Sequence, residues 1–122
     1  MWIGDKIMTY IMLQKEKRLK VLRDELEKAI YSIISLNPEK VVLFGSLGRE
    51  DVYLRSDIDL LIIWKTDLPF LERLQVFYDA INPNVAMDIL VYTPEEIEKL
   101  YRKNKFIAKV LDEGRVLYEK KQ

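Results

Sequence analysis

The stretch that decides the fold is "VVLFGSLGREDVYLRSDIDLLIIW", Val41 to Trp64. It holds two apolar runs. The first, VVLF, stops at Gly45-Ser46, and the second, IDLLII, is apolar at nearly every position, as expected of a strand buried on both faces. The second run opens with Ser-Asp-Ile-Asp, so Asp57 and Asp59 stand two residues apart. Strand side chains alternate between faces, which puts both carboxylates on one side. Like charges on one face repel, and desolvation beside a buried strand deepens the cost. Either one carboxyl stays protonated or a cation neutralises both. A divalent metal is the economical answer, because Mg2+ takes carboxylates together with substrate phosphates.

A third acid tests this reading. Ala86-Met87-Asp88-Ile89-Leu90 places Asp88 inside another apolar run. If that strand neighbours the second, Asp88 reaches the Asp57/Asp59 face, and three carboxylates around a pocket suit two metal ions. The bland alternative has Asp57 starting the strand, Asp59 meeting Arg49 or Arg55, and Asp88 as one more satisfied acid. That alternative serves each Asp singly, but it explains three acids beside a Gly-Ser turn less well. Gly45 lets backbone approach a ligand closely, and free N–H groups with the Ser46 hydroxyl make an anion site. By itself Gly-Ser is an ordinary turn. Its value comes from sitting one connection before Asp-x-Asp, since a phosphate cradle beside a metal site describes a nucleoside triphosphate. Arg49 either steadies phosphates or pairs with an Asp. Ser56 is expected to cap the turn and orient Asp57.

Outward from this centre, the periodicity predicts one α/β domain over residues 1–122. Leu19, Leu22, Leu26, Ala29, Ile30 and Ile33 step by three or four and predict a long N-terminal helix over about residues 10–36, ending before Asn37-Pro38. That stripe suits packing on a sheet, or in part a face for another protein or a second copy. Asp67-Leu68-Pro69 starts a second helix carrying Phe70, Leu71, Leu74, Phe77 and Tyr78, and Asn82-Pro83-Asn84 ends it. Val85 to Tyr92 reads as a third strand. Thr93-Pro94-Glu95-Glu96 is a strong helix start, with Thr93 as cap, Pro94 at the first position and Glu96 closing a capping box. A break is expected near Asn104, and Arg115 to Tyr118 suits a short last strand. The fold class expected is α/β (α+β), a small mixed sheet flanked by helices.

Composition narrows the chemistry. Of 122 residues, 20 are basic and 20 acidic, and a neutral balance argues against a protein built mainly to grip nucleic acid. There is no cysteine, hence no disulfide framework or thiolate chemistry, and no histidine, hence no Ser-His triad. Catalysis must run on carboxylates, hydroxyls, Lys or Arg with a hard metal ion. Asp5 and Lys6 interrupt the apolar N-terminus, which lacks the pattern of a secretory leader. No run reaches membrane-spanning length, and the expected location is the cytoplasm.

The pattern LFGSLGREDVYLRSDIDLLI, followed by AMDILVYTPEE, resembles the DNA polymerase β-like nucleotidyltransferase superfamily. Within it, the short chain most resembles the minimal nucleotidyltransferases (MNT proteins) of archaea and bacteria. The resemblance covers about residues 40–98 best. It implies a mixed sheet flanked by helices, ATP or another NTP as donor, and two Mg2+ ions. It implies that Asp57 and Asp59 hold both metals, that Asp88 holds the catalytic one, and that Gly45 and Ser46 hold the terminal phosphates. An acceptor hydroxyl would attack the α-phosphate and release pyrophosphate. The sequence departs from the family at Gly48-Arg49-Glu50. Glu50 stands where the family often has glycine, and it adds negative charge near the proposed phosphates.

Larger relatives carry a second domain for the acceptor, for which this chain has no room. MNT proteins are commonly paired with small helical HEPN proteins as toxin–antitoxin systems. The resemblance therefore implies a HEPN-type partner, with this chain as antitoxin transferring AMP to a tyrosine hydroxyl. Two other readings stay open: a module that neutralises its partner by contact alone, and a small-molecule nucleotidyltransferase working as a homodimer.

Overall fold

The computed structural model describes residues 3–45 and 58–121. The elements run α1 (Ile3–Ser35), β1 (Lys40–Phe44), β2 (Ile58–Ile63), α2 (Phe70–Ile81), β3 (Met87–Tyr92), α3 (Pro94–Lys103), α4 (Lys105–Glu113) and β4 (Arg115–Glu119). The four strands form one mixed sheet in the order β3-β2-β1-β4. β1 is antiparallel to both β2 and β4, and β2 is parallel to β3. A parallel pair needs a crossover between its strands, and α2 supplies it.

Helices cover both faces of the sheet. On one face α1 and α2 bury Leu22, Ala29, Ile33 and Phe77 against Val41, Leu43, Leu60, Ile62 and Ile89. The expected stripe of α1 is this face: Leu22, Ala29 and Ile33 are fully buried, and Leu19, Leu26 and Ile30 pack beside them. On the other face Ile107 and Val110 of α4 meet Val42, Leu61 and Ile63, with Ile97 and Leu100 of α3 packed alongside. Burial on two sides explains why IDLLII shows no alternation.

Local chemistry sets the boundaries. Asn37 and Asn82 take left-handed φ angles of 62° and 48° just beyond α1 and α2, a conformation Asn tolerates better than most residues. Thr93 and Glu96 form the expected capping box at α3. Asn104 divides α3 from α4, and its side chain accepts from the Ile107 N–H at 3.1 Å. At the turn into β4, Gly114 lies so close to β1 that a Cβ there would sit 3.2 Å from the Leu43 carbonyl oxygen.

The first helix departs from the sequence reading. It begins at Ile3 rather than near residue 10. Its 33 residues span about 50 Å, whereas β2 spans about 20 Å. The first turns therefore extend past the sheet, and Ile7, Met8, Tyr10, Ile11, Met12 and Leu13 are exposed.

Among the described residues, the outer edge of β3 is covered by side chains of α2. The Tyr78 hydroxyl donates to the Met87 carbonyl at 2.7 Å and accepts from the Ile89 N–H at 3.2 Å. One step along, the buried Arg73 guanidinium donates to the Val91 carbonyl at 3.3 Å. Arg73 also donates to Leu68 and grips Glu96 with two bonds, at 2.7 and 3.1 Å. An otherwise open strand edge is thus occupied by polar side chains, one of the ways proteins prevent edge-to-edge pairing.

Candidate active site

The site lies where β1 ends and where β2 and β3 begin. Phe44, the last residue of β1, pairs with Asp59 across the antiparallel ladder. Asp59 pairs in turn with Asp88 across the parallel ladder. Paired residues share a face, and Asp59 shares its own with Leu61 and Ile63, the face that α3 and α4 cover further along. Neighbouring strands stand about 4.8 Å apart. Two carboxylates are thus side by side at the open end of the sheet, Asp59 half-buried and Asp88 exposed.

Gly45 completes the described part. Its φ of +80° belongs to the left-handed region, which costs glycine nothing. A Cβ there would overlap the Asp59 carboxylate, lying 3.1 Å from its Cγ. The glycine therefore serves two needs at once: the chain can turn, and the carboxylate fits beneath the turn.

Tyr78 supports the site from behind. Its hydroxyl bonds to Met87 and Ile89, the residues on either side of Asp88. Burial pushes the Tyr78 phenol above its ordinary value despite the Ile89 N–H bond, and the Asp88 and Asp59 carboxylates push it the same way. It stays a neutral donor across the physiological range. The sequence reading took Tyr78 only as part of an apolar helix stripe. Its spacing beside Phe77 carried no sign that the hydroxyl reaches a strand edge.

The structure thus brings Gly45, Asp59 and Asp88 together. Asp57, Ser46 and Arg49, with Glu50, Arg55, Ser56 and the connection they lie on, fall outside the described residues. Among the described residues no cluster of three acids, histidines or cysteines could hold a metal ion. The pair of Asp59 and Asp88 offers hard oxygen donors only, a set that suits Mg2+ and not a soft thiophilic metal.

Residues 27–122 match the polymerase beta nucleotidyltransferase family. The chain belongs to that family. A protein of Methanocaldococcus jannaschii, provisionally named a protein adenylyltransferase, is 33% identical over 109 residues, covering 87% of this chain and all of its own length. A crystal structure of a provisionally named nucleotidyltransferase from Sulfolobus solfataricus superposes with a TM-score of 0.53 at 22% identity, covering 89% of this chain and 86% of that one. This second likeness bears out the mixed sheet flanked by helices. The nucleotidyltransferase keeps its two described acids in register at the mouth of the sheet. Among its described residues no helix is long and apolar enough to cross a membrane.

Proposed function

We propose that this nucleotidyltransferase moves a nucleoside monophosphate, AMP from ATP, to a hydroxyl on a partner protein. The observation that carries the reading is the register of Asp59 against Asp88 beside Gly45. Two like charges so placed repel, and a divalent cation between them is the arrangement we propose. Asp59 and Asp88, joined by Asp57, would hold divalent metal, two Mg2+ ions in the full site. Bound there, the metal supplies positive charge against the triphosphate and the leaving pyrophosphate.

The chain's own residues do the rest. The turn opened by Gly45, with Ser46 and Arg49, holds the terminal phosphates through backbone N–H groups and charge. The acceptor oxygen forms a bond to the α-phosphorus, and the bond from that phosphorus to the bridging oxygen breaks. Pyrophosphate leaves with the bond's electron pair. The hydroxyl proton passes to a carboxylate, a role we assign to Asp88, the more exposed of the two described. Tyr78, bonded on either side of Asp88, keeps that strand end in position.

A protein acceptor is favoured by two points. The Methanocaldococcus jannaschii relative is named for transfer to protein. The exposed apolar residues at the start of α1, Met8 and Met12 among them, suit a helical partner. A HEPN-type toxin is the partner we propose, with this chain as its antitoxin. The test is calorimetric titration of ATP, with and without Mg2+, into wild type and Asp59→Asn. Mg2+-dependent binding that the substitution removes supports the site. Equal binding by both proteins rejects it.

A further inference from the structure

Between the end of β1 and α4 lies a cavity of about 280 Å³. Gly45 and Phe44 form one side, Phe106 and Val110 the other, and the exposed Lys109 and Glu113 contribute polar groups. The cavity is on the same sheet face as Asp59, because Phe44 is Asp59's ladder partner and Val110 packs on that face. Gly45 therefore belongs to both places, touching the Asp59 carboxylate on one side and lining the cavity on the other.

We propose that this cavity receives the nucleobase of the donor nucleotide. The proposal rests on the nucleotidyltransferase reading above and adds to it the subsite that separates a nucleotide from a bare polyphosphate. Size favours it: the volume falls near the lower end of small-ligand sites, the scale of a base and not of a whole nucleoside triphosphate. Position favours it too, because Gly45 borders both the cavity and the Asp59 carboxylate. The lining has the right chemistry. Phe44 and Phe106 meet edge to face, with centroids 5.7 Å apart and planes at 79°. That geometry engages the edge of one ring, not both ring faces, and Phe106 is still 53% exposed. A solvent-facing phenyl ring next to a phosphate turn is a stacking platform for a planar base. Within the described structure Phe106 has no other ring to meet, and leaving it half in water forgoes the stabilisation that burial would give.

The experiment is calorimetry of two ligands, Mg-ATP and Mg-tripolyphosphate, against wild type, Phe106→Ala and Phe106→Tyr. Tripolyphosphate carries the phosphates without the base. Phe106→Ala is expected to raise the Kd for Mg-ATP about tenfold, the order of one lost base–aromatic stack. It should leave the Kd for Mg-tripolyphosphate unchanged, and Phe106→Tyr should restore Mg-ATP binding. An unchanged Mg-ATP affinity in Phe106→Ala overturns the proposal. So does a wild type that binds tripolyphosphate as tightly as ATP, and either result leaves the nucleotidyltransferase reading standing. A parallel loss of both ligands in Phe106→Ala also overturns it, since that marks a structural role. A wild type that binds neither ligand overturns the underlying reading along with this one.

Discussion

Replacing Gly45 with alanine is the sharpest single perturbation of the site. Two costs follow from its geometry. An alanine held at φ +80° occupies the left-handed region, at about 1–2 kcal/mol. The new Cβ overlaps the Asp59 carboxylate, so that side chain must leave its well, at about 0.5–1.5 kcal/mol. The stiffer unfolded chain returns about 0.4–1 kcal/mol. The net is a destabilisation of about 1–2.5 kcal/mol, which for a chain of this size lowers Tm by roughly 4–10 °C. A binding effect should accompany the stability effect, because the residue displaced is the carboxylate beneath the turn. At a temperature where the variant is still fully folded, the Mg-ATP Kd is expected to rise at least tenfold. Thermal denaturation and calorimetry on the same preparation check both numbers. A Tm within a degree or two of wild type would refute the backbone argument. A lowered Tm with unaltered Mg-ATP affinity would refute the link between Gly45 and the site.

Other outcomes follow from the same contacts. Asp88→Asn removes one of two adjacent like charges, so without metal it should be as stable as wild type or about 0.5–1 kcal/mol more stable, while losing the Mg2+-dependent rise in Tm; differential scanning fluorimetry with and without Mg2+ reads both. Tyr78→Phe leaves the Met87 carbonyl and the Ile89 N–H without their hydroxyl partner, at about 1–3 kcal/mol, and hydrogen exchange should speed up first at the Ile89 amide. Arg73→Met strips a charged donor from the Leu68 and Val91 carbonyls and from Glu96, at about 2–4 kcal/mol by urea denaturation. The Arg73 bond holds the Glu96 carboxyl below its ordinary value. The stability this contributes is therefore full above the ordinary glutamate range and lost as pH falls through the lowered value; in Arg73→Met, denaturation midpoints should fall less on acidification than in wild type.

Much of the fold was legible because local chemistry and tertiary packing agree. Thr93-Pro94-Glu95-Glu96 announced a helix start, and the capping box is there. Asn104 announced a break, and it caps α4. The doubly buried IDLLII became the central β2. The beginning of α1 was less legible because a stripe shows itself only where something covers it. Residues 5–13 are exposed, so their apolar positions follow no core, and the helix propagates backward from its packed half. For the site, parity along a strand gave the face but not the partner. That Asp88 stands opposite Asp59, and not one residue off, depends on how β3 docks parallel to β2. Tyr78 and Arg73 were missed for a related reason. Their polar ends bond to the outer edge of β3, and nothing in the spacing of α2 says that this edge lies alongside. Phe106 escaped notice because a lone aromatic in an amphipathic helix ordinarily signals core.

The sheet order has a consequence for how this protein is made. β1 receives β2 on one side from the next strand in the chain, but its other neighbour is β4, some seventy residues further on. During synthesis the strand that leads into Gly45 therefore waits with one edge open until β4 has left the ribosome. Closing so long a loop is slow compared with local helix formation. The end of β1 at Gly45 should accordingly be among the last parts to rigidify, and a chain stalled before Arg115 would present an unpaired apolar strand, fit for aggregation or capture by a chaperone rather than for chemistry.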